Sequence, residues 1–140
     1  MEKIRVLIVD DVPQVREGLA TVLKLAARAS RPGIEIVGEA PNGYEASQQA
    51  QSLQPDVILI DLEMAGMDGY EATRRIKAEQ PALRVIILSI HADTEARQRA
   101  RAAGADGFVT KGAGYEVLVD AILGRNDSTH LSGIKEGDEP

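Results

Sequence analysis

Cysteine is absent from this chain. That excludes a disulfide framework and any thiolate metal site, and makes a reducing cytoplasm the expected location. Aromatic side chains are scarce, confined to Tyr44, Tyr70, Phe108 and Tyr115 with no tryptophan, so the 44% apolar share is mostly aliphatic. No apolar run reaches the length of a membrane span, and no secretory leader is expected before the first apolar run. Positive charge is also in deficit. Sixteen Lys and Arg against 22 Asp and Glu leave a formal charge of −6, which argues against direct binding of nucleic acid or anionic lipid by this chain. What is present is 140 residues, enough for one domain with its own core.

Three apolar, β-branched runs read as strands buried on both faces: IRVLIVD (4–10), DVILID (56–61) and RVIILS (84–89). IEIVGEA (34–40) and GFVT (107–110) are weaker candidates. Between them, apolar residues recur at helical spacing: Val12, Val15, Leu19, Leu23 and Ala26; Ala46, Ala50 and Leu53; Ala72 and Ile76; Ala96, Ala100 and Ala103; and Val117, Leu118, Ala121 and Ile122. Gly104 reads as a helix stop. The order is a strand–helix pair repeated five times, which implies right-handed crossovers and a parallel sheet covered on both faces. Residues 1–124 form the expected domain. Residues 125–140 read as a polar tail or linker remnant, expected to be disordered.

The stretch LIVDDVPQV (7–15) places Asp10 and Asp11 side by side where the first strand runs out. Taken alone, the pair has a plain explanation, because Asp11-Val12-Pro13 could cap and open a helix. The strand ends taken together argue otherwise. In a parallel α/β sheet the ligand crevice lies outside the carboxyl ends of the strands. Asp10 and Asp11 end the first strand, Asp61 the third and Ser89 the fourth, and Lys111 follows the fifth. Five polar groups thus fall on one edge.

Three carboxylates around one crevice suit a hard divalent cation such as Mg²⁺, which takes carboxylate, water and phosphate oxygens. Without the cation their repulsion should make one carboxyl hold its proton more tightly. A lysine and a hydroxyl beside such a site point to a phosphate, with Lys111 as a point charge and Ser89 as a hydrogen-bond donor. Asp61, central among the strand ends, is the candidate nucleophile for aspartyl-phosphate chemistry.

The ordered set VLIVDD, DVILIDLEMAGMDGYEA, VIILS and GADGFVTKGA resembles the receiver domain of two-component response regulators, over residues 3 to 124. VREGL, GIEIVGEAPNGYEA and GADGFVTKGA are most similar to the NarL/FixJ subfamily. The resemblance implies a flavodoxin-like (βα)5 fold with strand order 2-1-3-4-5. It implies Asp61 as phospho-acceptor, Asp10 and Asp11 as the acidic pair holding Mg²⁺, and the Glu63 backbone carbonyl as a further metal ligand. Ser89 resembles the switch hydroxyl, Phe108 the switch aromatic and Lys111 the phosphate-binding lysine. Phe108 also has a plain reading as a core residue. The implied partners are a sensor histidine kinase and a second copy of the chain, through the last two helices and strand. The implied role is a phosphorylation-dependent switch controlling transcription rather than a turnover enzyme.

The chain departs from the family pattern at Ala65, where proline is usual and the loop should be looser, and at Ile90, where a small residue is usual and access to Asp61 should narrow. Gly112 replaces a frequent proline, and KLAARASRPG makes a long first helix-to-strand connection. Two other readings stay open. A haloacid dehalogenase-like phosphatase uses similar groups, but with its nucleophile on the first strand and its acidic pair late. A receiver-like interaction module would signal without phosphate, against which the complete Asp, Ser and Lys set speaks.

Overall fold

A computed structural model describes residues 3–64, 68–91 and 93–125. Ala65 and the tail beyond Arg125 lie outside the described residues, so the expectations for them are not addressed. Five strands, β1 (Lys3–Val9), β2 (Gly33–Ala40), β3 (Val57–Asp61), β4 (Arg84–Ser89) and β5 (Gly107–Thr110), alternate with five α-helices. These are α1 (Pro13–Ala26), α2 (Gly43–Leu53), α3 (Gly69–Glu79), α4 (Thr94–Ala102) and α5 (Tyr115–Leu123). Every strand pairing is parallel, in the order β2-β1-β3-β4-β5. This is the expected flavodoxin-like arrangement.

The period-two alternation of each strand divides the core. Val6 and Ile8 of β1 join Leu59, Ile86 and Val109 beneath Leu23 of α1 and Leu118 and Ile122 of α5. Leu7 and Val9 face the other way, with Ile58, Ile60 and Val85 against Ala46 and Ala50 of α2 and Ala72 and Ile76 of α3. A third cluster packs Phe108 and Ile87 against Tyr70, Ala96 and Ala100, where α4 covers the end of the sheet. Each fully buried Leu or Ile contributes about 1.5–3 kcal/mol, so the two-faced burial of β1, β3 and β4 anchors the edge that carries the polar groups.

Helix α1 rules out the plain explanation of the acidic doublet. Its N-cap is Val12, which makes no side-chain cap, so Asp11 is not the capping residue. Val12 and Val15, which share the helical spacing, are 43% and 48% exposed. Within α1 only Ala20 and Leu23 are buried. The expected stop at Gly104 is observed: α4 ends at Ala102, and Gly104 adopts φ +99°, which glycine tolerates without strain. The long connection after α1 is ordered by Ser30, whose buried hydroxyl donates to the carbonyls of Ala27 (3.1 Å) and Pro32 (3.0 Å).

Candidate functional site

The carboxyl ends of β1 and β3 bring Asp10, Asp11 and Asp61 together, with one carboxylate oxygen from each lying within 4.8 Å of the others. The fold holds Asp10 from two sides. Its backbone N–H donates to the Ala40 carbonyl of β2 at 3.1 Å. The Arg16 guanidinium donates to the Asp10 carbonyl at 2.7 Å, and Arg16 also pairs with Glu39 at 3.3 Å. The Asp10 side chain accepts from the Val12 N–H at 2.9 Å. The acidic doublet therefore turns the chain from strand into helix without capping the helix.

Asp10 and Asp61 are nearly inaccessible, at 3% and 4% exposure. Burial pushes the pKa of Asp10 up. The Val12 N–H and Lys111 oppose this, and the charges of Asp61 and Asp11 reinforce it. The carboxyl expected to hold its proton is thus Asp10. A donor set of three clustered carboxylate oxygens with excess negative charge fits a hard cation.

Lys111 reaches across from the loop after β5 and places Nζ 2.7 Å from Asp61 Oδ1. Burial would lower the lysine pKa, but the hydrogen bond and charge of Asp61, with Glu63 and Asp10 behind it, outweigh that and raise it. Lys111 is therefore cationic throughout the physiological range. Oδ1 also accepts from the Glu63 N–H at 3.1 Å. The pairing sets the Asp61 carboxylate beside a fixed cation, an arrangement that suits a nucleophilic carboxylate.

Ser89 closes the edge from β4. It is fully buried, and its hydroxyl donates to Glu63 Oε2 at 2.9 Å while accepting from the His91 N–H at 3.0 Å. Phe108 is 1% exposed in the third cluster, with the Arg97 guanidinium 4.9 Å from its ring centroid. Ile90, the bulky residue after the switch serine, is 61% exposed. The group standing beside Lys111 and Ser89 is the Glu63 carboxylate, which also accepts from the Ile90 N–H at 3.1 Å.

Sequence reading missed three contributors. The Glu63 side chain was one, since only its backbone carbonyl was singled out. Gly69, the first residue of α3, packs so closely that an added Cβ would lie 2.8 Å from Leu62 Cα and 3.0 Å from the Asp61 carbonyl. A side chain there would push the end of β3. The caps of α2, α3 and α4 were the third: Asn42, Asp68 and Asp93 accept from the N–H groups of Glu45, Glu71 and Ala96. The Asn42–Glu45 and Asp68–Glu71 spacings were a legible capping signal.

Comparison with known proteins agrees with this fold. Response regulator GacA of Pseudomonas aeruginosa is 40% identical over 119 residues, covering 85% of this chain and 53% of that protein. The chain thus spans about half the length of the curated relatives it matches. Among solved structures, a two-component response regulator of the LuxR family from Aurantimonas sp. SI85-9A1 superposes with a TM-score of 0.79 at 34% identity, over 96% of this chain and 89% of that one. A signal receiver domain described as that of NarL from Mycobacterium tuberculosis also gives 0.79, at 31% identity, over 96% of this chain and all of that one. Residues 6–123 match the family described as the response regulator receiver domain. By that match over most of its length the chain belongs to the response regulator receiver domains, which are signalling switches and not turnover enzymes.

Proposed function

We propose that Asp61 accepts a phosphoryl group from the phosphohistidine of a sensor kinase in the cytoplasm, and that the modified domain switches a partner or dimer surface in the control of transcription. The observation that carries this reading is the Lys111 ammonium 2.7 Å from Asp61 Oδ1, beside the three-carboxylate cluster. In the reaction, an Asp61 carboxylate oxygen attacks phosphorus, and the P–O bond forms as the bond to the imidazole nitrogen breaks. Positioning and charge neutralisation are the main requirements of such a transfer. Lys111 supplies a fixed positive charge at the acceptor and Ser89 a donor for a phosphoryl oxygen.

Asp10, Asp11, Asp61 and the Glu63 carbonyl are the residues that would hold Mg²⁺. When bound, the ion neutralises phosphoryl charge and screens the three carboxylates. The charge added at Asp61 then draws on Ser89 and Lys111, and Phe108 couples that change to α4, β5 and α5, a population shift driven by local electrostatics.

Incubation with acetyl phosphate and Mg²⁺, read by intact mass, is the direct test. One phosphoryl mass should be gained by the native protein only with Mg²⁺, and none by Asp61→Asn. An adduct mapped to Ser89 would overturn the assignment. Calorimetry should show Mg²⁺ binding that weakens at least about tenfold in Asp11→Asn, which removes an anionic ligand while keeping its shape.

A further inference from the structure

The Glu63 side chain makes contacts that its place in a surface turn does not require. Oε2 accepts from the Ser89 hydroxyl at 2.9 Å, Oε1 accepts from the Ile90 N–H at 3.1 Å, and Lys111 Nζ lies 3.9 Å from Oε1. One hydroxyl, one backbone N–H and one ammonium converge on a single carboxylate. Ser89 and Lys111 are the groups that a phosphoryl group on Asp61 would engage, and the Ile90 N–H lies beside them. Glu63 begins two residues after Asp61, and its own N–H is bonded to Asp61 Oδ1 at 3.1 Å. Its carboxylate is therefore carried on the loop that directly follows the acceptor.

We infer that the Glu63 carboxylate is an internal occupant of the phosphoryl-oxygen site, competing with the phosphoryl group for Ser89, Ile90 N–H and Lys111. The inference rests on Asp61 being the phospho-acceptor. A carboxylate is a planar anion with two acceptor oxygens, and here it uses both on donors from β4 and the residue after it. The fully buried Ser89 hydroxyl needs an acceptor that bulk water cannot supply, and Glu63 is that acceptor. Its hydrogen bonds are charge-assisted, the stronger class. An incoming phosphoryl group brings more negative charge to the same donors, and like charges in a partly buried site repel. Glu63 must leave when the phosphoryl group arrives. The resting protein thus keeps Ser89 engaged and the Ile90 amide bonded before any phosphorylation, at a cost to the ease with which phosphate enters.

Beryllofluoride with saturating Mg²⁺, titrated into the full chain and followed by the amide NMR signals of Ile90 and His91, separates occupancy from simple charge. Glu63→Ala removes both charge and occupant, whereas Glu63→Asp keeps the charge and shortens its reach by one methylene. Occupancy requires that both variants bind beryllofluoride at lower concentration than the native chain, on the order of tenfold for alanine, as expected for losing a charge-assisted hydrogen bond. It also requires the Ile90 amide signal to move in both variants before any beryllofluoride is added. Tightening in Glu63→Ala alone shows that the residue acts through charge only and overturns the inference, as does an unchanged midpoint in both. No response to beryllofluoride in any of the three proteins overturns the phospho-acceptor reading itself, a result distinct from the other two.

Discussion

Helices α4 and α5 cover opposite faces of the same strand, β5, yet they are held by different means. Helix α5 buries Leu118, Ala121 and Ile122. The Arg84 guanidinium ties down its last turn, donating to the carbonyls of Ala121 at 2.7 Å and Ile122 at 2.8 Å. Helix α4 buries only Ala96 and Ala100. It is also attached by two arginines laid on aromatic faces, Arg97 on Phe108 at 4.9 Å and Arg99 on Tyr70 at 4.3 Å, and by a Tyr70 hydroxyl donating to the Ala96 carbonyl at 3.3 Å. Alanine side chains bury little area, and cation–π contacts at accessible sites are worth about 0.5–1 kcal/mol each. An element attached this way can shift at small cost, while one anchored by Leu118 and Ile122 cannot. The weakly attached helix is also the one that follows Ser89 directly in sequence.

The comparison is tested most severely by removing an anchor from each helix. Ile122→Ala should cost about 2–5 kcal/mol in urea unfolding, because it leaves a cavity in a filled core. Ala100→Gly should cost only about 1 kcal/mol, mostly helix propensity. Equal costs would break the contrast.

A smaller effect, visible without unfolding, concerns Ser89. With Mg²⁺ and beryllofluoride, amide shifts should be larger across α4 and β5 than across α5 in the native protein. In Ser89→Ala, Asp61 should still accept phosphate while most of the α4 shifts disappear. A full pattern of shifts in that variant would return Ser89 to the role of a strand-end serine.

The smallest effect lies at the acidic cluster. Asp10 is buried, and its ionised form is disfavoured by burial and by the neighbouring Asp61 and Asp11 charges. Asp10→Asn in metal-free buffer should therefore stabilise the fold slightly near neutral pH. The difference between α4 and α5 should stay unchanged. A loss of stability would mean that the Asp10 charge is compensated by more than the Val12 N–H and Lys111.

Much of this was legible in the sequence because the relevant signals are local. Apolar β-branched runs and period-3.6 patterning located the five strands and five helices, and the rule for parallel sheets placed Asp10, Asp11, Asp61, Ser89 and Lys111 on one edge. The strand order came from the family resemblance, since nothing in the spacing distinguishes it from other doubly wound orders. The same patterning put Val12 and Val15 at helical spacing but could not tell that they stay exposed, because a period defines a face and not how far the core beneath it extends. The exposure of Ile90 was illegible for a related reason. Its bulk is a property of the residue, but its 61% exposure depends on how the loop after β4 leaves the sheet.

By itself the sequence determined which chemical groups the edge would hold, since each sits at the end of an apolar run whose burial forces the chain to emerge there. Only the tertiary structure decided how those groups pair. Lys111 meets Asp61 across a separation of fifty positions, and Ser89 meets Glu63 across one of twenty-six. Contacts of that separation depend on the register of β3 against β4 and of β4 against β5, which brings Asp61 beside Leu88 and Ser89 beside Thr110. The reach of a glutamate side chain does the rest. Two methylenes carry its charge from the loop after β3 to the end of β4, and no local pattern reveals which donors it will find there.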